Sequence, residues 1–328
     1  MIPVERAHLL IATATHPGMK GKPNEDRGSV SAYRLTSTDH TPSILAIVAD
    51  GIGGHLAGEV AAELAVAVIN KYIAENSSNQ PVQLLIQALN HANQIILNRS
   101  REDPTLHGMG TTCVCAWVIG DQLYAASVGD SRLYLQRAAR IIRLTTDHTW
   151  IQEALTQGTL TPDQTKGHPN AHIIRRFLGS LNGLNPDIRL RLDPAESDAQ
   201  AEANQGLRLL PGDRLILCSD GLTDLVRDGE ILEILRTRPL ERIPAHLINL
   251  ANQRGGHDNI TVAAMEVPKP AGITRPFRAH LAVKKIPAPK IPRTAASWVM
   301  IALLILAILL MLFLLLYSYI HTGFSYTL

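Results

Sequence analysis

The sequence predicts an α+β fold with antiparallel sheets, followed by one membrane-spanning helix near the C-terminal end. Two helical patterns follow one another over residues 59–98, and three strand patterns follow one another over residues 113–135. A doubly wound parallel sheet would instead require helices and strands to alternate, so this order favours antiparallel sheets. The membrane helix is predicted by an uncharged run of 23 residues at 298–320.

The strands are predicted from short apolar runs, and the helices from apolar residues at helical spacing. The predicted strands are 44–48, 113–119, 123–128, 132–135, 214–218 and 259–265. The predicted helices are 59–74, 82–98, 230–236 and 243–254. Pro81 stands where the first residue of the second helix is expected, and Gly255-Gly256 marks the end of the last one.

The chain divides into four predicted parts. Residues 1–267 form one domain, without an internal repeat or a low-complexity break. Residues 268–297 are rich in Pro and basic side chains and predict an extended linker. Residues 298–320 are long enough to cross a hydrocarbon core of about 30 Å, and they have no polar face of the kind that a buried helix of a globular domain presents. Residues 321–328 would form a short extracytoplasmic tail.

The charges are distributed unevenly along the chain. From Pro268 onward there are seven Lys or Arg and no Asp or Glu, so the preceding domain holds 24 basic and 29 acidic side chains. The positive-inside rule then places the linker and the domain in the cytoplasm, as a single-pass protein of the cell membrane. The linker would contact anionic lipid. An acidic domain without a basic stripe argues against nucleic acid as a partner.

The three cysteines, Cys113, Cys115 and Cys218, form an odd and sparse set that fits a reducing compartment. Cys113 and Cys115 lie two residues apart in a predicted strand and therefore share one of its faces. Packing in the core is the expected role of this pair.

Aspartates recur at the ends of the predicted strands. Asp50 and Asp220 each follow a strand and precede a glycine, Asp130 lies between two strands, and Asp258 precedes the last strand. Each alone would be read as a turn residue. Carboxylates gathered from several strand ends would repel one another, so we expect cations between them. Oxygen ligands of this kind select hard ions such as Mg²⁺ or Mn²⁺.

Six motifs together resemble the type 2C, metal-dependent (PPM) serine/threonine protein phosphatases, in their bacterial form with a C-terminal membrane helix. The resemblance covers roughly residues 13–265, and the six motifs occur in the order of the family: VADGIGGH at 48–55, GMGTT at 108–112, VGDSR at 128–132, LTTDH at 144–148, CSDGLTD at 218–224 and GGHDNITV at 255–262. The resemblance implies a central sandwich of two antiparallel sheets flanked by helices, with the metals at one end of the sandwich.

The resemblance also implies roles for individual residues. Asp50 would bridge two Mn²⁺ or Mg²⁺ ions, Gly51 would offer its carbonyl to the second ion, and Asp220 and Asp258 would hold the first. Asp26 and Glu25 would act through bound waters, Asn259 would orient these ligands, and Asp130 would hold a third, weaker ion. Two such ions lower the pKa of a water that attacks phosphorus in line. Asp50, Asp220 and Asp258 form the catalytic set.

The chain departs from the family in its first motif and in its general acid. Gly21 stands where an Arg usually binds the substrate phosphate, and His16 stands where an Asp is usual. We expect Lys20 or Lys22 to bind the phosphate instead, as point charges. Ile52 replaces the His of eukaryotic members, and the alternatives His55 and His148 leave the general acid unassigned. Residues 150–179 form a flap beside the site, where substrate choice is expected.

The predicted function is removal of phosphate from phosphoserine and phosphothreonine in cytoplasmic proteins at a membrane surface. The resemblance implies a cognate serine/threonine kinase as a partner. A catalytically silent module that binds phosphoproteins at the membrane is the alternative, but the four principal aspartates are all present. A metal-dependent nuclease or phosphodiesterase would use similar ions, and the acidic domain argues against it.

Overall fold

The computed structural model describes residues 1–269, except 54–55, 77–79, 166 and 182, together with the backbone of the strand Lys284–Lys285. Most of the predicted linker at 268–297 lies outside the described residues, as do the predicted membrane helix at 298–320 and residues 321–328. No helix among the described residues is long and apolar enough to cross a membrane.

The described residues form fourteen strands and seven α-helices. The strands are β1 Ile2–Pro3, β2 Leu10–His16, β3 Arg27–Arg34, β4 Pro42–Ala49, β5 Gly51–Ile52, β6 Gly110–Thr111, β7 Cys113–Ile119, β8 Gln122–Val128, β9 Arg132–Arg137, β10 Arg140–Arg143, β11 Leu207–Arg208, β12 Arg214–Cys218, β13 Ile260–Glu266 and β14 Lys284–Lys285. The helices are α1 Leu56–Glu75, α2 Pro81–Glu102, α3 Trp150–Thr156, α4 Asp198–Ala203, α5 Asp220–Thr223, α6 Asp228–Thr237 and α7 Ile243–Gln253.

Twelve of the strands form two six-stranded sheets. The first sheet has the order β1-β3-β4-β7-β8-β11 and the second has the order β10-β9-β12-β13-β2-β14. Every neighbouring pair is antiparallel except β14 with β2, which is parallel. The predicted antiparallel α+β fold is therefore confirmed. The two remaining strands, β5 and β6, pair as a short antiparallel ribbon.

Alternating residues of the strands build three apolar layers. Along β4, Ile44, Ala46 and Val48 face the second sheet, whereas Leu45 and Ile47 face α1 and α2. The outer face of the second sheet packs against α6 and α7. Because successive side chains of a strand point to opposite faces, a strand buried on both sides is a continuous apolar run. The result is a sandwich of two sheets with helices on both outer faces.

Most predicted elements agree with the structure to within a few residues, and two central strands are missing from the prediction. Strands β7 and β12 have the predicted bounds. The missed strands β2 and β3, LIATATH and RGSVSAYR, mix small and polar residues with few large apolar ones. Their pairing with β13 and β4 makes them strands, and that pairing is not a local property of the sequence. Cys113 and Cys115 are buried and free, as expected.

Candidate metal centre

The pairing of the strands brings the predicted aspartates to one end of the sandwich. Arg27 at the start of β3 pairs with Ala49 at the end of β4, so Asp26 lies beside Asp50. Cys218 at the end of β12 pairs with both Val262 and Arg132, near the starts of β13 and β9. Asp220, Asp258 and Asp130 follow or precede these positions. Antiparallel pairing thus joins residues that are up to 232 positions apart in the chain.

Hydrogen bonds from the following motif hold the backbone at Asp50. The amide of Asp50 donates to Thr112 Oγ1 at 3.0 Å. Its carbonyl accepts from the Thr112 amide at 2.8 Å and from Thr111 Oγ1 at 2.8 Å. Thr112 Oγ1 also lies 2.7 Å from Ser131 Oγ, next to Asp130. The GMGTT motif therefore fixes Asp50 and connects it to the loop that carries Asp130.

Two glycines let backbone segments approach the centre closely. A Cβ on Gly51 would overlap the carbonyl group of Gly58 in α1. A Cβ on Gly221 would overlap the carbonyl oxygen of Asn259. The second contact packs α5 against the start of β13, which is the contact that brings Asp220 towards Asp258. A side chain at either glycine would force these segments apart.

Ser219 links Asp26 to the second sheet. Ser219 Oγ donates to Asp26 Oδ2 at 2.7 Å and accepts from the amide of Thr261 at 2.9 Å. Asp26 is only 2% exposed, and the amide of Asp26 donates to Asn24 Oδ1 at 3.1 Å. Asp26 is therefore a rigid member of the centre rather than a surface residue of the N-terminal loop.

The carboxylates of the centre destabilise one another's charges. Burial raises the pKa of Asp26 to about 7, and the charges of Asp220 and Asp258 add to this effect. Burial, followed by repulsion from Asp26 and Asp220, holds the pKa of Asp50 well above its usual range. Burial and the charge of Asp224 raise the pKa of Asp220 to about 6. The pKa of Asp130 is raised by burial and by Asp220.

The donor atoms fit hard divalent cations. One oxygen each of Asp26, Asp130 and Asp220 is buried without a hydrogen-bond partner among the described residues. In that same part of the chain, no Lys or Arg side chain forms an ion pair with Asp26, Asp50 or Asp220. Buried carboxylates without a partner are costly, and all of these donors are oxygens, which Mg²⁺ and Mn²⁺ prefer. The residues present therefore fit the predicted metals.

The protein phosphatase 2C family matches residues 18–255, which is most of the chain. The chain belongs to this family. It is 34% identical over 273 residues to the serine/threonine protein phosphatase PstP of Mycobacterium tuberculosis, a match that covers 83% of this chain and 50% of PstP. The chain thus spans about half the length of that relative.

Two further comparisons agree with this family. The serine/threonine phosphatase stp of Listeria monocytogenes is 34% identical over 248 residues, covering 74% of this chain and 90% of stp. The solved catalytic domain of PstP in complex with two manganese ions is 32% identical, with a TM-score of 0.63, and the match covers 80% of this chain and 99% of that domain. The two-sheet fold described above is therefore the fold of the family.

The two supporting residues of the centre hold the N-terminal loop. Asn259 Oδ1 accepts from the amide of Glu25 at 2.7 Å, and Asn259 Nδ2 donates to the carbonyls of Pro17 and Pro23 at 3.1 and 3.0 Å. Loop 17–25 is therefore tied to the start of β13 at three points. The carboxylate of Glu25 lies against Gly58 of α1, where a Cβ would overlap it.

The departures in the first motif have different structural outcomes. His16 is buried, and its Nδ1 accepts from the amide of Gly18 at 3.0 Å, so the imidazole serves this turn as a carboxylate oxygen would. Lys20 and Lys22 are exposed on the same loop. Among the described residues, neither ammonium group has an ion-pair partner. Both are thus available to an anion that approaches the centre.

His148 has a structural position beneath the centre. Its Nδ1 accepts from the amide of Gly129 at 3.0 Å, its amide donates to the Gly129 carbonyl at 2.9 Å, and its Nε2 bonds Asp187 Oδ2 at 3.1 Å. The side chain is 4% exposed and both nitrogens have partners, so His148 does not reach a leaving group. It orients the peptide before Asp130. His55, the other alternative for the general acid, lies outside the described residues.

Sequence reasoning missed some residues that support the centre. Ser219 and Thr112 were visible inside the motifs, but nothing in the local pattern indicated that their hydroxyls bond Asp26 and Asp50. Ser219 is recognisable only once the end of β12 is known to lie beside the start of β3. Asp224 raises the pKa of Asp220, and its place in the motif did not indicate this effect.

Proposed function

We propose that this chain is a metal-dependent protein phosphatase that hydrolyses the phosphomonoesters of phosphoserine and phosphothreonine. The observation that carries the proposal is the acidic centre, in which Asp26, Asp50 and Asp220 have raised pKa values and lack Lys or Arg partners among the described residues. The names of the relatives, which are serine/threonine phosphatases, support the reaction. The manganese ions of the PstP catalytic domain support the cofactor.

The residues of the centre would have two roles, which are to hold the metal ions and to position water molecules around them. Asp50, Asp220 and Asp258 would hold two Mn²⁺ or Mg²⁺ ions, with the backbone of Gly51 beside Asp50. Asp26, held by Ser219, and Glu25, held through its amide by Asn259, would position waters around these ions. Asp130 would hold a third, weaker ion. Bound divalent ions supply an activated water and neutralise the phosphoryl oxygens.

The chain itself would bind and orient the substrate. Lys20 and Lys22, on a loop tied to the centre by Asn259, would attract the dianionic phosphate as exposed point charges. The rigid strand ends would keep the acidic oxygens in place without reorganisation during the reaction. A phosphorylated side chain of a protein would be able to reach the centre, because Asp258 is exposed at this end of the sandwich.

We further propose that the domain works on the cytoplasmic side of the cell membrane. The uncharged run at 298–320 and the basic linker at 268–297 support a single-pass anchor with its domain in the cytoplasm. Phosphoproteins near that surface, and the cognate serine/threonine kinase that phosphorylates them, would be its partners. The alternative of a silent phosphoprotein-binding module predicts binding without turnover.

A turnover assay separates the two functions. The full-length chain in a mild detergent is incubated with a phosphothreonine peptide and Mn²⁺, with and without EDTA. We expect release of phosphate that EDTA abolishes, and a loss of about 10³-fold in kcat/KM for Asp50→Asn, because a site that stabilises several kcal/mol of charge is disrupted. Asp121→Asn, in the β7–β8 hairpin at the far end of the sandwich, is the matched control. Turnover that survives chelation would refute the proposal.

A further inference from the structure

A basic cleft lies at the end of the second sheet that is opposite to the metal centre. It has a volume of about 220 Å³ and is lined by residues of β9, β12, α6 and β13 and of the segments next to them. Arg214, in this lining, begins β12 and pairs with Gln136 of β9 and Glu266 of β13. Cys218, at the other end of β12, leads to the metal centre and lies about 13 Å away, since each residue of a strand adds about 3.3 Å. The cleft is therefore separate from the centre.

The guanidinium of Arg214 is held in place and keeps one nitrogen without a hydrogen bond. Its Nε donates to Glu266 Oε2 at 2.6 Å, and its Nη1 donates to the carbonyls of Leu235 and Arg238. Its Nη2 forms no hydrogen bond with another described residue, although the side chain is only 16% exposed. Because the planar group is already fixed, Nη2 is a pre-organised donor for an acceptor that enters the cleft.

Two further cations of the cleft have no carboxylate to balance them. Arg236 in the last turn of α6 and Lys269 after β13 are exposed, and neither forms an ion pair with a described residue. Lys269 packs over Gly212, where an added Cβ would lie 2.7 Å from Lys269 Cε. The missing side chain of Gly212 thus makes room for the lysine. Since Glu266 offsets only Arg214, the cleft has a net positive charge.

A buried polar side chain stabilises one wall of the cleft. Gln136 is 7% exposed, and its Nε2 donates to the carbonyl of Ala138 at 2.7 Å. Ala138 lies in the turn between β9 and β10 and has a φ of 52°, a left-handed conformation that non-glycine residues rarely adopt. The hydrogen bond from Gln136 therefore holds this turn in one conformation at the edge of the cleft. The cleft is bounded by fixed groups, unlike a patch of independent surface lysines.

We propose that this cleft binds a phosphate group through Arg214, Arg236 and Lys269. Its volume is below the roughly 300–1,000 Å³ of pockets for drug-sized ligands, so it suits one small anionic group. Arginine and lysine bind phosphate oxygens by charge-assisted hydrogen bonds. Two sources share this chemistry, the headgroup of an anionic lipid and a free phosphorylated molecule. Lys269 is also the first cation of the basic linker, so a lipid headgroup in the cleft would add to the attraction that the linker has for anionic lipid.

Hydrogen–deuterium exchange of the full-length chain in lipid nanodiscs tests the site. EDTA is present throughout, so that no metal ion binds phosphate at the centre. The first arm uses phosphatidylcholine nanodiscs and adds inorganic phosphate, compared with sodium chloride of equal ionic strength. The second arm compares phosphatidylcholine nanodiscs with nanodiscs that also contain phosphatidic acid. We expect exchange at residues 136–140 to slow about tenfold when inorganic phosphate is about ten times its dissociation constant, because a ligand stabilises the closed state in that proportion.

Two charge-matched variants decide whether the slowing belongs to the cleft. Combining Arg236→Ala with Lys269→Ala should abolish it, whereas combining Lys71→Ala with Arg101→Ala, which removes two exposed cations from α1 and α2, should leave it unchanged. Slowing in the first arm alone assigns the site to a free phosphorylated molecule, in the second alone to a lipid headgroup, and in both to the phosphate group itself.

No slowing in either arm, or equal slowing in the two double variants, would overturn the proposed site. The result is independent of the phosphatase proposal, because exchange is measured without divalent ions. Mn²⁺-dependent turnover of a phosphothreonine peptide should be the same in both double variants, since the cleft and the metal centre lie at opposite ends of β12.

Discussion

The acidic centre and the buried carboxylate of Asp187, which lies outside that centre, have pKa values shifted in opposite directions. Asp26 is 2% exposed and Asp187 is 7% exposed, so burial alone would raise the pKa of both. In Asp26 burial prevails and the pKa rises to about 7. In Asp187 the hydrogen bonds from Arg189 and His148 outweigh burial, and the pKa falls well below its usual range. Arg189 Nε lies 2.8 Å from Asp187 Oδ1.

This difference shows that a neighbouring positive charge determines whether the pKa of a buried carboxyl group rises or falls. The chain supplies Arg189 to Asp187, whereas among the described residues it supplies no Lys or Arg to Asp26, Asp50 or Asp220. A centre that gathers several acids without such a partner is stable when divalent ions enter from solution. Arg189 therefore compensates the charge of Asp187 from within the chain, whereas the divalent ions proposed above would compensate the acids of the centre.

The largest expected effect concerns metal and pH together. A carboxyl group with a raised folded-state pKa stabilises the fold while it is protonated, and this stabilisation is lost as the pH rises from about 4 to about 7. Without divalent ions we therefore expect the free energy of unfolding to fall across this range, by an amount on the order of several kcal/mol. Thermal unfolding with EDTA and with Mn²⁺, at pH 5 and pH 7.5, measures it. A gap between the two conditions that does not widen at pH 7.5 would contradict the prediction.

Isosteric Asp→Asn changes should act in opposite directions on the two sets. Asp187→Asn leaves Arg189 and His148 without their carboxylate, and we expect a loss of about 2–3 kcal/mol, reduced from the value for a fully buried pair because Arg189 is partly exposed. Asp50→Asn replaces a carboxyl group that must take up a proton or bury a charge when the metal-free chain folds, so at neutral pH we expect higher stability. Urea unfolding in EDTA measures both. Destabilisation of similar size in both variants would remove the distinction.

Ser219→Ala tests a hydroxyl that supports Asp26 from the second sheet. Its removal deletes a 2.7 Å hydrogen bond to a carboxylate that lacks a cationic partner among the described residues. We expect Mn²⁺ to bind about tenfold less tightly, because residues that orient metal ligands contribute to affinity at this level. Calorimetric titration of the full-length chain measures the change, with Ser37→Ala in an exposed turn as control. Equal affinities in the two variants would show that Asp26 needs no such support.

The smallest effect is expected at the exposed loop that carries Lys20 and Lys22. Changing both to Ala removes point charges rather than fixed hydrogen bonds, so we expect KM for a phosphothreonine peptide to rise roughly fivefold with kcat unchanged, which corresponds to about 1 kcal/mol. Lys71→Ala on α1 is the matched control. An unchanged KM would show that the phosphate is bound by the acidic centre and its ions alone.

Much of the fold was predictable because its central strands are continuous apolar runs. Strands β7 and β12 were found with their observed bounds, since a strand buried on both faces has a clear local pattern. Strands β2 and β3 were not found, although each lies inside a sheet. In the same way, Asp50 and Asp220 stood out through the glycine that follows each, whereas Ser219 had no local signal.

The local sequence is sufficient to specify the donor chemistry of the centre, because Asp-Gly pairs after apolar strands place oxygen ligands at strand ends whatever surrounds them. It also predicts a membrane helix from the uncharged apolar run at 298–320, and a linker from the basic segment that precedes it. The pairing of β3 with β4 and of β12 with β13 is a long-range property, and it alone makes Asp26, Asp50 and Asp220 neighbours. Their raised pKa values and the bond from Ser219 result from that proximity, since burial and Coulomb repulsion depend on distance in space.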